Sequence, residues 1–305
     1  MQKIFITGAN GFVGSNLRTY LTEEFQFFAY ARGEKPIIQE EIVIHLAGKA
    51  HDTKNVSSPE EYYQGNTELT KLIFDAFLTS QAQVFIVLSS VKAAADEVTG
   101  ELTEEVIPRP TTFYGKSKLL AEEYILSKTL TSGKRVYILR PCMIHGPGNK
   151  GNLNLLYKLV KRNLPWPLAA FQNLRSFCSI ENLCFVISEL IHREDIASGI
   201  YNIADDNALS TNDLIRYIAK SLSRNPKYLH LPVKLIQSLA RIGDMIRLPL
   251  NTERLKKLTE SYLVDNKKIK TAIGKPLPVS SEEGLKKTFY SFGQNNKNQK
   301  NKKMK

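Results

Sequence analysis

Short apolar runs and longer amphipathic stretches alternate through the first half of the chain. The runs are bounded by glycine, proline or polar residues, which is typical of buried strands. They fall at residues 3–7, 27–30, 41–45, 84–89 and 136–139, with helical patterns at 67–80 and 114–128. This alternation predicts an α/β fold in which helices cover both faces of a doubly wound parallel sheet.

Three glycines lie directly after the first predicted strand and before a helical pattern at 15–21. Gly8, Gly11 and Gly14 allow a sharp turn, a close approach to a pyrophosphate and tight packing of the helix on the sheet. The loop also contains Asn10, and Phe12 with Val13 leads into the helix, whose N-terminus favours negative charge. We predict that this segment binds a dinucleotide.

The residue after the second strand indicates which dinucleotide is bound. An acid at this position holds the ribose hydroxyls of NAD, but here Ala31 and Arg32 occupy it. A guanidinium suits a 2′-phosphate through charge-assisted hydrogen bonds, so Arg32 favours NADP(H). NAD(H) remains open as the alternative.

A second group of candidate site residues consists of Ser90 and the run from Tyr114 to Lys118. On a helix, Tyr114 and Lys118 share one face, so the ammonium is expected to stabilise the phenolate of a phenol whose pKa is ordinarily about 10. Ser90 would hold a substrate oxygen beside the phenol while a nicotinamide exchanges hydride with the carbon. These residues predict carbonyl–alcohol redox chemistry.

The regular alternation of strands and helices fades after Gly148, so we expect the chain to be organised in two parts. Residues 1–148 should form mainly the NAD(P)-binding core, and residues 149–292 mainly a smaller C-terminal substrate-binding lobe with segments that return to the core. Residues 293–305 are rich in Asn, Gln and Lys, so this tail is expected to be disordered.

Six motifs follow one another along the chain. They are Thr7-Gly8-Ala9-Asn10-Gly11-Phe12-Val13-Gly14, His45-Leu46-Ala47-Gly48, Asn66, Leu88-Ser89-Ser90, Tyr114-Gly115-Lys116-Ser117-Lys118, and the nine residues from Arg140-Pro141 to Gly148. Together they resemble the extended short-chain dehydrogenase/reductase family, the NAD-dependent epimerase/dehydratase family with its Rossmann-type core, which contains nucleotide-sugar epimerases, dehydratases and reductases. The resemblance covers about residues 1–292.

The resemblance implies roles position by position. Ser90, Tyr114 and Lys118 resemble the catalytic triad, and Asn66 resembles the asparagine that helps to place the lysine. Arg175 is similar to the arginine that contacts the substrate's diphosphate. The remaining implied cofactor contacts are Leu46, Ala47, Gly48, Pro141 and Met143, and the remaining implied substrate contacts are Lys92 and Asn152. A homodimer through a helix bundle that includes the Tyr114 helix is also implied.

One departure from the family pattern narrows the activity. Family dehydratases place an Asp-Glu pair after the catalytic Ser or Thr, whereas Val91 and Lys92 follow Ser90 here, so dehydration is disfavoured. The remaining activities are 4-epimerisation of a UDP-sugar with tightly bound NAD and reduction of a 4-ketone. Softer motif matches to surface-polysaccharide 4-ketoreductases, together with Arg32, favour reduction of a UDP-4-keto-6-deoxy-(2-acetamido)hexose. A non-catalytic nucleotide-binding protein of the same fold is a third reading.

Composition excludes several other classes. The chain of 305 residues has 42% hydrophobic residues, has no apolar run long enough to span a membrane and begins without a signal-peptide pattern, so a cytoplasmic protein is expected. Its three cysteines lack metal-ligand spacing, and no metal is expected. The net charge is +12, and five of the lysines lie in the 293–305 tail, so nucleic acid is not the expected partner. Weak attraction of this tail to an anionic membrane surface remains open.

Overall fold

The computed structural model describes residues 1–49, 58–149, 151, 153–246 and 251–303, and side chains no further than residue 294. The chain forms two compact units. The first comprises Met1–Cys142, Ile180–Ala204 and Val264–Pro278, and the second comprises Met143–Ser179, Asp205–Leu263 and Val279–Lys305.

The described residues contain strands and helices in the alternating order that the sequence predicts. The strands are β1 (Gln2–Thr7), β2 (Phe25–Ala29), β3 (Ile42–His45), β4 (Val84–Leu88), β5 (Glu101–Leu102), β6 (Arg135–Pro141), β7 (Met143–His145), β8 (Phe177–Ser179), β9 (Gly199–Ile203) and β10 (Leu263–Val264). The α-helices are α1 (Phe12–Tyr20), α2 (Pro59–Tyr62), α3 (Leu69–Thr79), α4 (Phe113–Leu126), α5 (Leu153–Lys161), α6 (Ile180–His192), α7 (Thr211–Ser221), α8 (Val233–Ile246), α9 (Thr252–Thr259), α10 (Lys267–Ile273) and α11 (Ser281–Lys303). A π-helix (Tyr63–Glu68) and a 3₁₀ turn (Val91–Ala93) complete the description.

The first unit is built on a six-stranded parallel sheet in the order β2-β1-β3-β4-β6-β9. This Rossmann-like arrangement confirms the predicted fold class. Five of the strands overlap the predicted runs, whereas β9 was not predicted. The link between β2 and β3, residues 30–41, is short and contains no helix.

The central strands of this sheet are buried on both faces: β3 is buried at all four positions and β4 at four of five, whereas β2 at the edge is largely exposed. Phe5, Val43 and Phe85 lie in one apolar cluster with Phe74 and Phe77 of α3. Around the sheet, α1 contacts α6 and α3 contacts α4. The carboxyl ends of β1, β3 and β4 therefore carry the glycine loop, the His45 motif and Ser90 on a rigid frame.

The second unit has its own apolar core. Tyr157 of α5, Ile218 of α7, Ile236 of α8 and Phe289 of α11 are buried in it together with Trp166. β7 pairs in parallel with β8. Each helix thus contributes an apolar face at helical spacing, as amphipathic helices do.

The last helix extends into residues 293–305 of the chain. α11 begins at Ser281 and its backbone remains helical to Lys303. Leu285, Phe289 and Phe292 are buried and fix the first half of this helix. Adding residues to a helix that already exists requires no new nucleation, which is the step that disfavours helix formation in an isolated polar segment.

Candidate active site

The glycine loop connects β1 to α1 and has the shape that a pyrophosphate requires. Gly8 has φ +72°, and the amide of Gly11 donates to the Gly8 carbonyl at 3.0 Å. A Cβ added to Gly14 would lie only 2.3 Å from that carbonyl oxygen. No side chain caps the N-terminus of α1, and its first turn contains no acid. Free N–H groups beside a surface without side chains fit a dinucleotide phosphate.

The predicted contacts around this loop have distinct positions. Asn10 is exposed in the turn, whereas Phe12 and Val13 are half-buried in the first turn of α1. Arg32 is exposed after β2 and lines a cavity of about 460 Å³ with Tyr30 and Lys49. Glu61 lines the same cavity and forms an ion pair with Lys49. The cavity thus offers a guanidinium at the place where the sequence predicts the adenosine ribose.

The end of β3 is joined to β1 by a buried chain of hydrogen bonds. The Ala47 amide donates to Thr7 Oγ1 at 3.0 Å, and Thr7 Oγ1 lies 2.7 Å from Nδ1 of His45. Burial, with the nearby charge of Lys118, lowers the pKa of His45 to about 3. Leu46 also bonds through its backbone to the Thr7 carbonyl. Sequence analysis placed Leu46 and Ala47 at the cofactor, but it did not identify this support.

Asn66 connects two parts of the site from within the π-helix. Its side-chain oxygen accepts from the Lys49 amide at 2.8 Å, and its amide donates to the Lys49 carbonyl and to Ser117 Oγ at 3.1 and 2.9 Å. Ser117 adjoins Lys118 on α4. An added Cβ on Gly48 would lie 2.7 Å from Asn66 Oδ1 and 3.1 Å from Lys118 Nζ. The geometry therefore brings Gly48, Asn66 and Lys118 together.

Ser90 and Tyr114 meet as the sequence predicts. Ser90 follows β4 and Tyr114 lies in the first turn of α4, where Thr112 caps the helix by accepting from the Gly115 amide. Burial raises the pKa of the Tyr114 phenol, while a hydrogen bond with Ser90 acts in the opposite direction. The two hydroxyls are thus neighbours, and a carbonyl oxygen placed beside them could accept a hydrogen bond from each.

Lys118 lies one helical turn after Tyr114 and is buried. Its ammonium donates to the Leu88 carbonyl at 2.8 Å. Burial lowers the pKa of Lys118 to about 8, although the carboxylate of Glu122 acts to raise it. The ammonium is thus mostly charged at neutral pH, but it loses its proton at a lower pH than an ordinary lysine does.

Two clusters near this triad were missed by sequence analysis. Burial acts to raise the pKa of Asp96, but hydrogen bonds from the amides and hydroxyls of Thr111 and Thr112 bring it below its ordinary value. These bonds fix the start of the Tyr114 helix. Glu122 forms a buried pair with Arg140 and also accepts from Ser89, the neighbour of Ser90.

The remaining predicted site residues have their own surroundings. Lys92 donates from Nζ to the Asp96 carbonyl at 2.7 Å, and Pro141 ends β6. In the second unit, Met143 begins β7, and Arg175 donates to the Lys257 carbonyl at 2.7 Å and pairs with Glu260 at 3.3 Å. Asn152 lies outside the described residues. The substrate roles of these residues remain predictions.

Comparison with known proteins agrees with this geometry. The model of the family described as NAD dependent epimerase/dehydratase matches residues 32–204. A UDP-glucose 4-epimerase from Vibrio cholerae is 29% identical over 97% of both chains. A UDP-2-acetamido-2,6-beta-L-arabino-hexul-4-ose reductase from Pseudomonas aeruginosa is 32% identical over 50% of this chain and 38% of its own. The structure of RMD from Pseudomonas aeruginosa with NADPH has a TM-score of 0.73 at 20% identity, over 96% of this chain and all of that one.

These matches place the protein in a class. The family model covers more than half of the chain, so the chain belongs to the NAD-dependent epimerase/dehydratase family, and the resemblance seen in its motifs is confirmed. It is accordingly an NAD(P)-dependent enzyme of the epimerase and reductase type.

Proposed function

We propose that the protein is an NADPH-dependent 4-ketoreductase of a nucleotide-linked sugar, of the class UDP-4-keto-6-deoxy-2-acetamidohexose. The observation that carries the choice of a reductase is Arg32, an exposed guanidinium in the cavity after β2. A guanidinium there favours the 2′-phosphate of NADP, the usual reducing coenzyme. A named reductase of a closely related keto-sugar supports the substrate class.

The side chains beside Ser90 support a reaction with a single acid/base group. Elimination of water requires carboxylates beside Ser90, and Val91 and Lys92 have none. Val91 is buried, and the Lys92 ammonium is held by a backbone carbonyl. Carbonyl reduction needs only one proton, delivered to the oxygen as the carbon accepts a hydride. A bound NADPH would supply that hydride.

The chain's own residues would supply the proton and hold the oxygen. Burial raises the pKa of Tyr114, so its phenol is protonated at neutral pH and can donate from Oη to the C4 oxygen. Ser90 would donate a second hydrogen bond to the same oxygen. Lys118, whose ammonium is fixed on the Leu88 carbonyl, would stabilise the phenolate that remains.

A UDP-sugar 4-epimerase with tightly bound NAD is the second candidate. It is favoured by the Vibrio cholerae UDP-glucose 4-epimerase, which matches this chain over nearly its full length. The same Ser90 and Tyr114 hydroxyls would serve, since epimerisation removes and returns one proton at the C4 oxygen. The two candidates differ in whether the coenzyme is consumed.

Coenzyme consumption therefore tests the proposal. Purified protein is mixed with NADPH or NADH and UDP-2-acetamido-4-keto-2,6-dideoxyhexose, and the dihydronicotinamide absorbance is followed. We expect stoichiometric loss with NADPH and a product that has gained a hydride and a proton. UDP-glucose and UDP-N-acetylglucosamine are run in parallel without added coenzyme. Interconversion of their C4 epimers, with NAD released on denaturation, would establish the epimerase and contradict our choice.

We also propose that the protein forms a homodimer through α3 and α4. Leu72 of α3 and Phe113, Leu120 and Leu126 of α4 are between 43% and 56% exposed. Apolar residues on two adjacent helices are typical of a subunit interface. Light scattering should give twice the mass of one chain, and Leu120→Glu should reduce it to that of a monomer.

A further inference from the structure

Helix α8 in the second unit has two apolar faces, of which only one is packed. Ile236, Ala240 and Gly243 are buried. Leu235, Leu239, Ile242 and Ile246, which we call the α8 stripe, are 48%, 44%, 49% and 62% exposed. At 3.6 residues per turn these four positions fall within an arc of about 60°. Met245, which is 84% exposed, lies about 60° beyond this arc.

Positive charge accompanies the stripe. Lys234 and Arg241 are exposed on the side of α8 next to Met245. The only acid within α8, Asp244, accepts from the Thr252 amide at 3.0 Å and so serves to hold the start of α9. Residues 227–259 contain seven lysines and arginines against two acids, and residues 293–305 contain five lysines and no acid. These two segments carry ten of the twelve excess positive charges of the chain.

We propose that α8 docks the protein on an anionic membrane surface. The α8 stripe would enter the boundary between headgroups and acyl chains, and Lys234 and Arg241 would contact anionic headgroups. The local charge selects this occupant, because the same face of a second copy would bring a second Lys234 and Arg241 against the first pair. Within the described residues, no helix is long and apolar enough to cross a bilayer, so the contact is peripheral.

Vesicle sedimentation with the full-length protein tests this inference. Vesicles of phosphatidylcholine alone are compared with vesicles that also contain phosphatidylglycerol. We expect sedimentation only with the anionic vesicles and a decrease as salt is added, since screening weakens exposed charges. Absence of binding to anionic vesicles, or equal binding to both kinds, would overturn the proposal.

Variants separate the stripe from the general charge of the protein. The double change Leu239→Glu and Ile242→Glu should reduce vesicle affinity at least about tenfold, because it removes two apolar insertions. The matched control is Leu155→Glu on α5, where a leucine is 65% exposed but lies outside the stripe. Lys234→Gln with Arg241→Gln should also weaken binding and lessen its dependence on salt.

Three outcomes would reject the stripe as a membrane contact. The first is unchanged vesicle affinity in the Leu239→Glu and Ile242→Glu variant. The second is an equal loss of affinity in Leu155→Glu. The third is a fall in molecular mass of the stripe variant in solution without vesicles, which would assign the stripe to a contact between subunits. Turnover of a soluble substrate should be unchanged in every variant, since none of these residues belongs to the candidate active site.

Discussion

Two fully buried histidines, one in each unit, have different hydrogen-bonding partners. In the first unit, Thr70 Oγ1 donates to the Asn66 carbonyl at 2.6 Å, so it must accept from Nε2 of His45, 2.9 Å away. Nδ1 of His45 then accepts from Thr7, whose oxygen is the acceptor for the Ala47 amide. One ring nitrogen donates and the other accepts, so His45 is neutral.

His145 in the second unit has a carboxylate among its partners. Nδ1 of His145 lies 3.0 Å from Thr288 Oγ1, which also lies 2.8 Å from the Gly284 carbonyl. Nε2 of His145 lies 3.3 Å from the carboxylate of Asp205, which also accepts from the Ser179 amide at 2.8 Å.

The difference shows that two equally buried rings can have different partners, two hydroxyls for His45 and a hydroxyl with a carboxylate for His145. Two arginines among the predicted site residues also differ. Arg175 in the second unit is paired with Glu260, whereas Arg32 in the first unit is exposed in a cavity and bonds to none of the described residues. The Arg32 guanidinium is therefore available to a ligand.

The largest expected effect follows from removing the Tyr114 hydroxyl. Tyr114→Phe should lower kcat about 10²- to 10⁴-fold, because the proton donor is lost. Coenzyme affinity and the thermal midpoint should hardly change if this group serves the ligand rather than the fold. Stopped turnover assays measure kcat, coenzyme titration measures the affinity, and thermal denaturation measures the midpoint. The matched control is Tyr124→Phe on the same helix, which removes a bond to Asp75 and should keep full activity.

Removing Asp205 tests the opposite role in the second unit. Asp205→Ala would leave the buried Nε2 of His145 and the Ser179 amide without their carboxylate partner and should lower the free energy of unfolding by about 1–3 kcal/mol or more. Urea denaturation measures the loss. Asp206→Ala, at the exposed neighbouring position, should cost much less. Similar losses in the two variants would argue that the buried contacts of Asp205 contribute little to stability.

Reversing the charge of Arg32 examines the group that the first unit leaves available. Arg32→Asp should shift the ratio of kcat/KM for NADPH over NADH about 10- to 100-fold towards NADH, since one charge-assisted contact to the 2′-phosphate is lost. Arg18→Asp makes the same charge change on an exposed face of α1 and should leave the ratio as it is. An unchanged ratio in Arg32→Asp would mean that another residue distinguishes the two coenzymes.

Local patterns were enough to predict the frame and the reactive groups. The strands before Gly8 and Ser90, and the helical spacing of Tyr114 and Lys118, are properties of short segments. The supports of these groups join residues far apart in the chain, such as Thr7 with His45 or Asn66 with Ser117. The periodicity of apolar residues along the sequence does not predict such pairs. Likewise, nothing beside Arg175 in the sequence indicated that Glu260, eighty-five residues later, would bind its guanidinium.

The smallest expected effect is on the pH dependence of stability, which tests whether the buried His45 stays neutral. Burial lowers the pKa of His45 to about 3, whereas an unfolded histidine titrates near about 6.5. Between these values the unfolded state binds one proton more than the native state, so stability falls as pH falls. The contribution is fully retained above the unfolded pKa and is lost progressively towards the folded pKa, at about 1.4 kcal/mol per pH unit.

His45→Gln should remove this part of the slope, because an amide can accept from Thr7 and donate to Thr70 without titrating. Unfolding free energies measured at several pH values between about 6 and 4.5 would show a flatter profile for the variant than for the wild type. His230→Gln is the matched control, since His230 is exposed and its replacement should leave the slope intact. Identical slopes for wild type and His45→Gln would mean that His45 takes up a proton in the folded protein as readily as in the unfolded chain.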